Sequence, residues 1–245
     1  MFQTIFYQPI LNLLVFLYNI VPGHDLGVTI ILLTIIIKLL LLPLSKQSIK
    51  SQKALQDLQP KIEEVKKKYA NNKEEMGRAM MDIYKQNKVN PFSSCLPLLI
   101  QLPFLFAVFK VFSTGLSNGS LNLVYSFIKR PEAINSISFG IFDLSKPNIL
   151  FAVLAGVAQF WQAKMMMVKK PAVKTQGSRD ENMMAIMNKQ MLYIMPVMTV
   201  FIGISLPGGL SLYWFVLTLL TIIQQAYVFK HKNKDEKVIE GEIVK

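Results

Sequence analysis

The chain has 245 residues, is 52% hydrophobic, and carries 27 Lys+Arg against 15 Asp+Glu, for a formal net charge of +12. An apolar majority joined to a basic balance excludes an ordinary soluble domain and fits a membrane protein with basic flanks. One cysteine, Cys95, excludes an internal disulfide and a Cys/His metal framework, and no HExxH, P-loop or glycine-rich dinucleotide fingerprint is present, so no cofactor or metal is expected.

Residues 1–25 open the chain. MFQTIFYQPILNLLVFLYNI has no basic n-region and no small-residue cleavage site, so it does not read as a secretory signal. Gln3, Gln8, Pro9 and Asn12 make it a poor span. It reads as an interfacial amphipathic helix, with a sixth span or an uncleaved signal anchor as the alternative.

Five spans are expected next: Leu26–Leu44, Pro91–Phe112, Asn148–Val168, Gln190–Leu206 and Gly208–Phe229. Crossing a hydrocarbon core of ~30 Å takes about 20 apolar residues at 1.5 Å each. The connections differ in charge. Ser45–Asn90 carries eleven basic residues and six acids, Lys169–Lys189 five basic residues, and the tail Lys230–Lys245 five. The residues before Leu26 carry none, Ser113–Pro147 carries three, and the fourth connection is merely LPGG. The positive-inside rule then puts the N-terminus outside and the C-terminus in the cytoplasm, which five crossings satisfy.

The segment Ser45–Asn90 reads as a helical hairpin. Leu55, Leu58, Ile62, Val65 and Tyr69 recur at helical spacing, Asn71-Asn72 marks a turn, and Met76, Met80, Ile83 and Tyr84 share a face of a second helix. Pro60 marks a bend or an entry point. Its charges read first as a solvated face with i,i+4 pairs. The fold class expected is thus an all-α polytopic membrane protein of five transmembrane helices, with an interfacial N-terminal helix, a cytoplasmic helical hairpin and a short disordered tail.

One residue in the first span stands out. Lys38 sits six positions before Leu44, ~9 Å from the cytoplasmic end of the helix, and none of the five spans holds an Asp or Glu to neutralise it. The plain reading is a lysine that snorkels to the headgroups. Against that, Lys46 and Lys50 already occupy the border, and an ionised group deep in the bilayer costs about 2.5–3.5 kcal/mol unless water reaches it. A water-filled cavity open to the cytoplasm is the expectation. Gln101, Gln159, Gln162, Ser211, Tyr213, Thr218, Thr221, Gln224 and Gln225 supply polar atoms for its walls. Each of them alone reads as an interhelical hydrogen bond worth ~0.6 kcal/mol.

Two weaker signals accompany these. Nine of the thirteen methionines fall between Met165 and Met198, which reads as gap-filling before it reads as an adaptable binding surface. Prolines 91, 97, 103, 196 and 207 interrupt or bound the spans, as bent helices around a cavity would.

Several stretches together resemble one family. IIIKLLLLPLSKQSIKSQKALQDLQPKIEEVKKKY, NKVNPFSSCLPLLIQLPFLFAVF and LSLYWFVLTLLTIIQQ, in that order over roughly residues 20–230, are similar to the core of the YidC/Alb/Oxa membrane insertases. The resemblance implies a positively charged groove formed by five core helices, open to cytoplasm and lipid and closed outside. It implies insertion and folding of nascent membrane proteins in the bacterial cell membrane, without nucleotide hydrolysis. The partners it implies are the ribosome, the Sec translocon and the signal recognition particle pathway, with no specific nucleic acid.

By the same resemblance Lys38 stands where the family generally has arginine. Gln162, with Gln159 as the alternative, takes the polar position of the third helix, and Trp214 takes that of an aromatic facing the groove. Lysine keeps the charge and loses the planar fork of donors, and Thr218 stands where many members have asparagine. The short form looks most like a Gram-positive type of bacterial member. Rival readings are a small channel, or an intramembrane hydrolase with Ser94 or Cys95 as nucleophile. The latter's base would be His24 or His231, which the expected topology puts at opposite membrane edges.

Overall fold

The computed structural model describes residues 1–70, 72–90, 96–115, 120–167 and 190–243. These are mostly helical. A π-helical turn, Gln3–Tyr7, runs into α1 (Gln8–Ile20), followed by α2 (Leu26–Leu40), α3 (Leu42–Lys68) and α4 (Lys73–Gln86). Helix α5 (Leu96–Lys110) continues as a π-helical turn, and a small antiparallel pair, β1 (Ile137–Ser138) and β2 (Phe142–Asp143), precedes α6 (Ile149–Met166). The chain ends in α7 (Met195–Gly203) and α8 (Gly208–Ile243).

The first expected span is two helices. Leu41 separates α2 from α3, and the two axes meet at 69°. Pro43 explains the break: it brings no N–H to a carbonyl one turn earlier, and its ring would collide with that carbonyl. Helix α3 therefore starts at the membrane-side joint and runs on through the expected hairpin, where it packs on α4. Among the described residues two helices, Ile149–Met166 and Gly208–Lys230, are long and apolar enough to cross a membrane, or three if the bent pair counts as one span. The apolar stretches Leu99–Thr114 and Gln190–Gly203 are shorter. The five expected spans thus correspond to two long helices, one bent pair and two short apolar helices. The lipid-like exterior is plain from large apolar side chains left exposed on α6 to α8, such as Trp161, Phe201 and Ile223.

Helix α1 is a packed element. Leu11, Leu14, Val15 and Tyr18 form one helical stripe and are buried in a core shared with α2 and α5. Its polar residues, which argue from sequence against a span, hold the segment that follows α5. Gln8 Nε2 donates to Leu123 O at 3.1 Å, Asn12 Oδ1 accepts from Tyr125 N at 2.7 Å, and Asn19 Nδ2 donates to Lys129 O at 2.7 Å. Tyr18 OH accepts from Asn135 N at 2.9 Å.

Asp25 closes the same end. Its Oδ1 accepts from Gly27 N (2.8 Å) and Val28 N (3.0 Å), capping α2, and also from the Ser138 hydroxyl (2.5 Å). Its Oδ2 accepts from Phe139 N at 2.6 Å. The turn between β1 and β2 needs positive φ at Phe139 (52°) and Gly140 (74°). A Cβ on Gly27 would collide with the Ser138 hydroxyl, so the β-hairpin can dock only on a glycine.

Candidate functional site

Helices α2 and α8 pack along one another. Where α2 gives way to α3, they leave a cavity of about 330 Å³ lined by Ile35, Lys38, Leu39, Leu42, Lys46, Leu220, Ile223, Gln224, Tyr227 and Val228. The lining forms two helical stripes: 35, 38, 39, 42 and 46 on one side, and 220, 223, 224, 227 and 228 on the other. The walls are mostly hydrocarbon, none of the lining residues is acidic, and the rim is exposed at Leu39, Ile223 and Tyr227.

Lys38 is half-buried, and its Nζ donates to Thr221 Oγ1 at 2.8 Å. Thr221 can accept because its own proton goes back along α8 to Leu217 O at 2.7 Å. The lysine charge is thus met by a neutral oxygen. Nearby, Gln224 Nε2 donates to Ser45 Oγ at 2.7 Å, tying α8 to the first turn of α3. Gln224 Oε1 is buried without a hydrogen-bond partner among the described residues.

Of the residues singled out from sequence, Lys38 and Gln224 share this cavity. Thr221 joins them through its bond to Lys38, and several of the others are bonded elsewhere. Gln101 Nε2 donates to Tyr213 OH at 2.9 Å, with Tyr213 fully buried between α5 and α8. The Thr199 hydroxyl of α7 donates to Gln159 Oε1. Thr218 Oγ1 returns to Trp214 O at 2.8 Å, and Trp214 and Gln162 are half-buried. Sequence reasoning left Lys46 as a border residue and passed over Tyr227. Their signal was the pair of stripes, which continue the spacing of Lys38 and Gln224.

The base of α3 is tied to the same end of the bundle. Gln56 Nε2 donates to Met167 O at 3.1 Å, and Lys53 lies over the Phe229 ring, 5.6 Å from its centroid. Ser94, Cys95, Met183, Met184, Met187 and the side chain of His231 lie outside the described residues. His24 Nδ1 is 2.8 Å from Tyr18 O, at the end of α2 away from Lys38. Among the described residues no group of three His, Cys, Asp or Glu side chains could hold a metal ion.

Comparison with known proteins agrees with the resemblance seen in the sequence. Residues 16–236 match the family model described as 60Kd inner membrane protein. A membrane protein insertase YidC of Fusobacterium nucleatum is 34% identical over 226 residues, 91% of this chain and 97% of the relative. A protein of the same name from Geotalea daltonii is 38% identical over 227 residues, 91% of this chain but 37% of that longer relative. One from Chlamydia trachomatis is 35% identical over 221 residues, 89% of this chain and 27% of its own length.

Proposed function

We propose, on the premise that this chain belongs to the 60Kd inner membrane protein family, that it is a bacterial membrane protein insertase in which Lys38 receives the client. The chain is a helical membrane protein that acts on nascent membrane proteins, and it is not an enzyme. Insertion requires no covalent chemistry: what is lowered is the barrier to moving polar residues partway across the bilayer.

In this reading five spans cross the membrane with the N-terminus outside and the C-terminus in the cytoplasm. Helix α1 lies at the outer interface, and α3–α4 form the cytoplasmic hairpin. The client's short acidic or polar N-terminal region enters the hydrated groove beside Lys38 while its apolar segment slides along the exposed face of α8. The hydrophobic effect then releases that segment into lipid. Gln162 faces the groove in preference to Gln159, whose amide is taken by Thr199, and Trp214 contributes an aromatic wall. Ribosome, Sec translocon and signal recognition particle pathway are the sources from which clients would arrive.

The observation that carries the proposal is the environment of Lys38: an ammonium inside an apolar helix pair, bonded to a threonine, in a cavity whose walls hold no carboxylate among the described residues. A client carboxylate would supply the missing charge. The test is insertion of a single-span client with an acidic tail into liposomes containing wild type, Lys38→Arg, Lys38→Gln or Lys38→Glu. Arginine should support insertion and glutamine and glutamate should fail, with neutral-tailed clients depending on the residue less. Equal insertion by all four variants would overturn capture by charge.

A further inference from the structure

The cavity between the α2–α3 joint and α8 has three unmet needs. Lys38 and Lys46 bring two cations to it, no lining residue is acidic, and the ion pairs seen among the described residues, Lys53–Asp57, Arg78–Glu74 and Lys146–Asp143, involve neither lysine. Gln224 Oε1 is a buried acceptor without a donor among the described residues. The remaining wall is hydrocarbon, with a rim of exposed Leu39 (58%), Ile223 (65%) and Tyr227 (59%) facing outward from the bundle.

We propose that in the client-free protein this cavity is a binding site for an anionic phospholipid. Its phosphate sits at Lys46 and Lys38, its headgroup hydroxyl donates to Gln224 Oε1, and an acyl chain lies along Leu39, Leu42, Leu220 and Ile223. A lipid with a glycerol headgroup meets all three needs at once. Free phosphate would neutralise the lysines and leave the hydrocarbon wall against water, and a zwitterionic choline lipid brings a fixed cation and no donor. The volume of about 330 Å³ falls within the range of built small-molecule sites, ~300–1,000 Å³. The proposal rests on the membrane placement given above and not on client capture; its consequence for insertion is that the client's acidic tail displaces the lipid phosphate.

The test is native mass spectrometry of the full chain released from bicelles of equal phosphatidylglycerol and phosphatidylcholine, with no client present. A juxtamembrane lysine adds about fivefold to the affinity for anionic lipid. Wild type should retain phosphatidylglycerol over phosphatidylcholine by about 25-fold, fivefold for each lysine. Lys46→Gln should lose about fivefold, and the double change with Lys38→Gln about 25-fold. Ile223→Trp, which fills the cavity and keeps both charges, should lower retention as well, and soluble glycerol phosphate should not displace the lipid.

Equal retention of the two lipids, selectivity unchanged by Lys46→Gln, or displacement by glycerol phosphate would each overturn the site. A change that retains no lipid because the protein unfolds is recognised by loss of the monodisperse species, and Lys46→Arg, which keeps the charge, must then restore selectivity. The liposome insertion assay fails or succeeds separately. Charge-dependent insertion without lipid selectivity removes the lipid and leaves client capture standing; lipid selectivity without charge-dependent insertion does the reverse.

Discussion

Asp25 offers a sharp test of how the end of the bundle away from Lys38 is closed. Its carboxylate takes four donors, two from the first turn of α2 and two from the β-hairpin. Asp25→Ala removes a helix N-cap, worth about 0.5–2 kcal/mol, and strands the Ser138 hydroxyl and the Phe139 amide. Hydrogen bonds to a charged group contribute about 1.5–3 kcal/mol each when dry. Asp25 is only half-buried, and water replaces part of what is lost, so a total of about 2–3 kcal/mol is expected.

Hydrogen exchange measured by mass spectrometry in nanodiscs should show amides of 137–143 opening about 30- to 150-fold faster in Asp25→Ala. Asp25→Asn should fall between, because it keeps one acceptor oxygen and turns an NH2 toward a donor. The pH dependence has a definite sign. Burial alone would raise the Asp25 pKa, but the Ser138 hydroxyl and the Phe139, Val28 and Gly27 amides outweigh it, and the pKa lies below the ordinary 3.8. The clasp is therefore fully present above that ordinary value and is lost only as pH falls through the lower folded-state pKa. Opening, corrected for intrinsic exchange, should be flat from pH 5 to 8. Unchanged exchange at 137–143 in Asp25→Ala, with the rest of the protein folded, would refute this account.

Other outcomes follow from the same geometry. Tyr213→Phe leaves Gln101 without its acceptor inside the bundle and should lower detergent stability by about 0.6–1.7 kcal/mol, read from the midpoint of thermal unfolding. Gly156→Val should cost about 1–3 kcal/mol, because a Cβ at 156 runs into the Val200 side chain and comes within 3.0 Å of Pro196 O; Gly156→Ala should cost less in the same assay. Thr221→Val removes the oxygen bonded to Lys38 and keeps the charge. Insertion of an acidic-tailed client should then fall far less than in Lys38→Gln, and an equal loss would assign the role to the hydrogen bond instead of the charge.

Much of this protein is legible in one dimension. Long apolar runs, basic connections and the stripe Leu55, Leu58, Ile62, Val65, Tyr69 announce a helical membrane protein with a charged helical insert, because hydrocarbon thickness and helical period act on residues close in sequence. Lys38 was conspicuous for the same reason: a charge inside an apolar run is a local anomaly. What faces what was not legible. A helix in lipid is apolar all round, so periodicity does not separate the face that meets a neighbour from the face that meets lipid. Thr221 lies 183 positions from Lys38, and Gln224 lies 179 from Ser45. The same limit applies to α1, where no local pattern pairs Gln8, Asn12 and Asn19 with Leu123, Tyr125 and Lys129. Composition and local spacing determined which segments are helical and apolar. Only tertiary packing decided that two stripes, one carrying Lys38 and Lys46 and the other Gln224, would close around a single cavity, because that depends on rotation of packed helices about their axes, which no local pattern specifies.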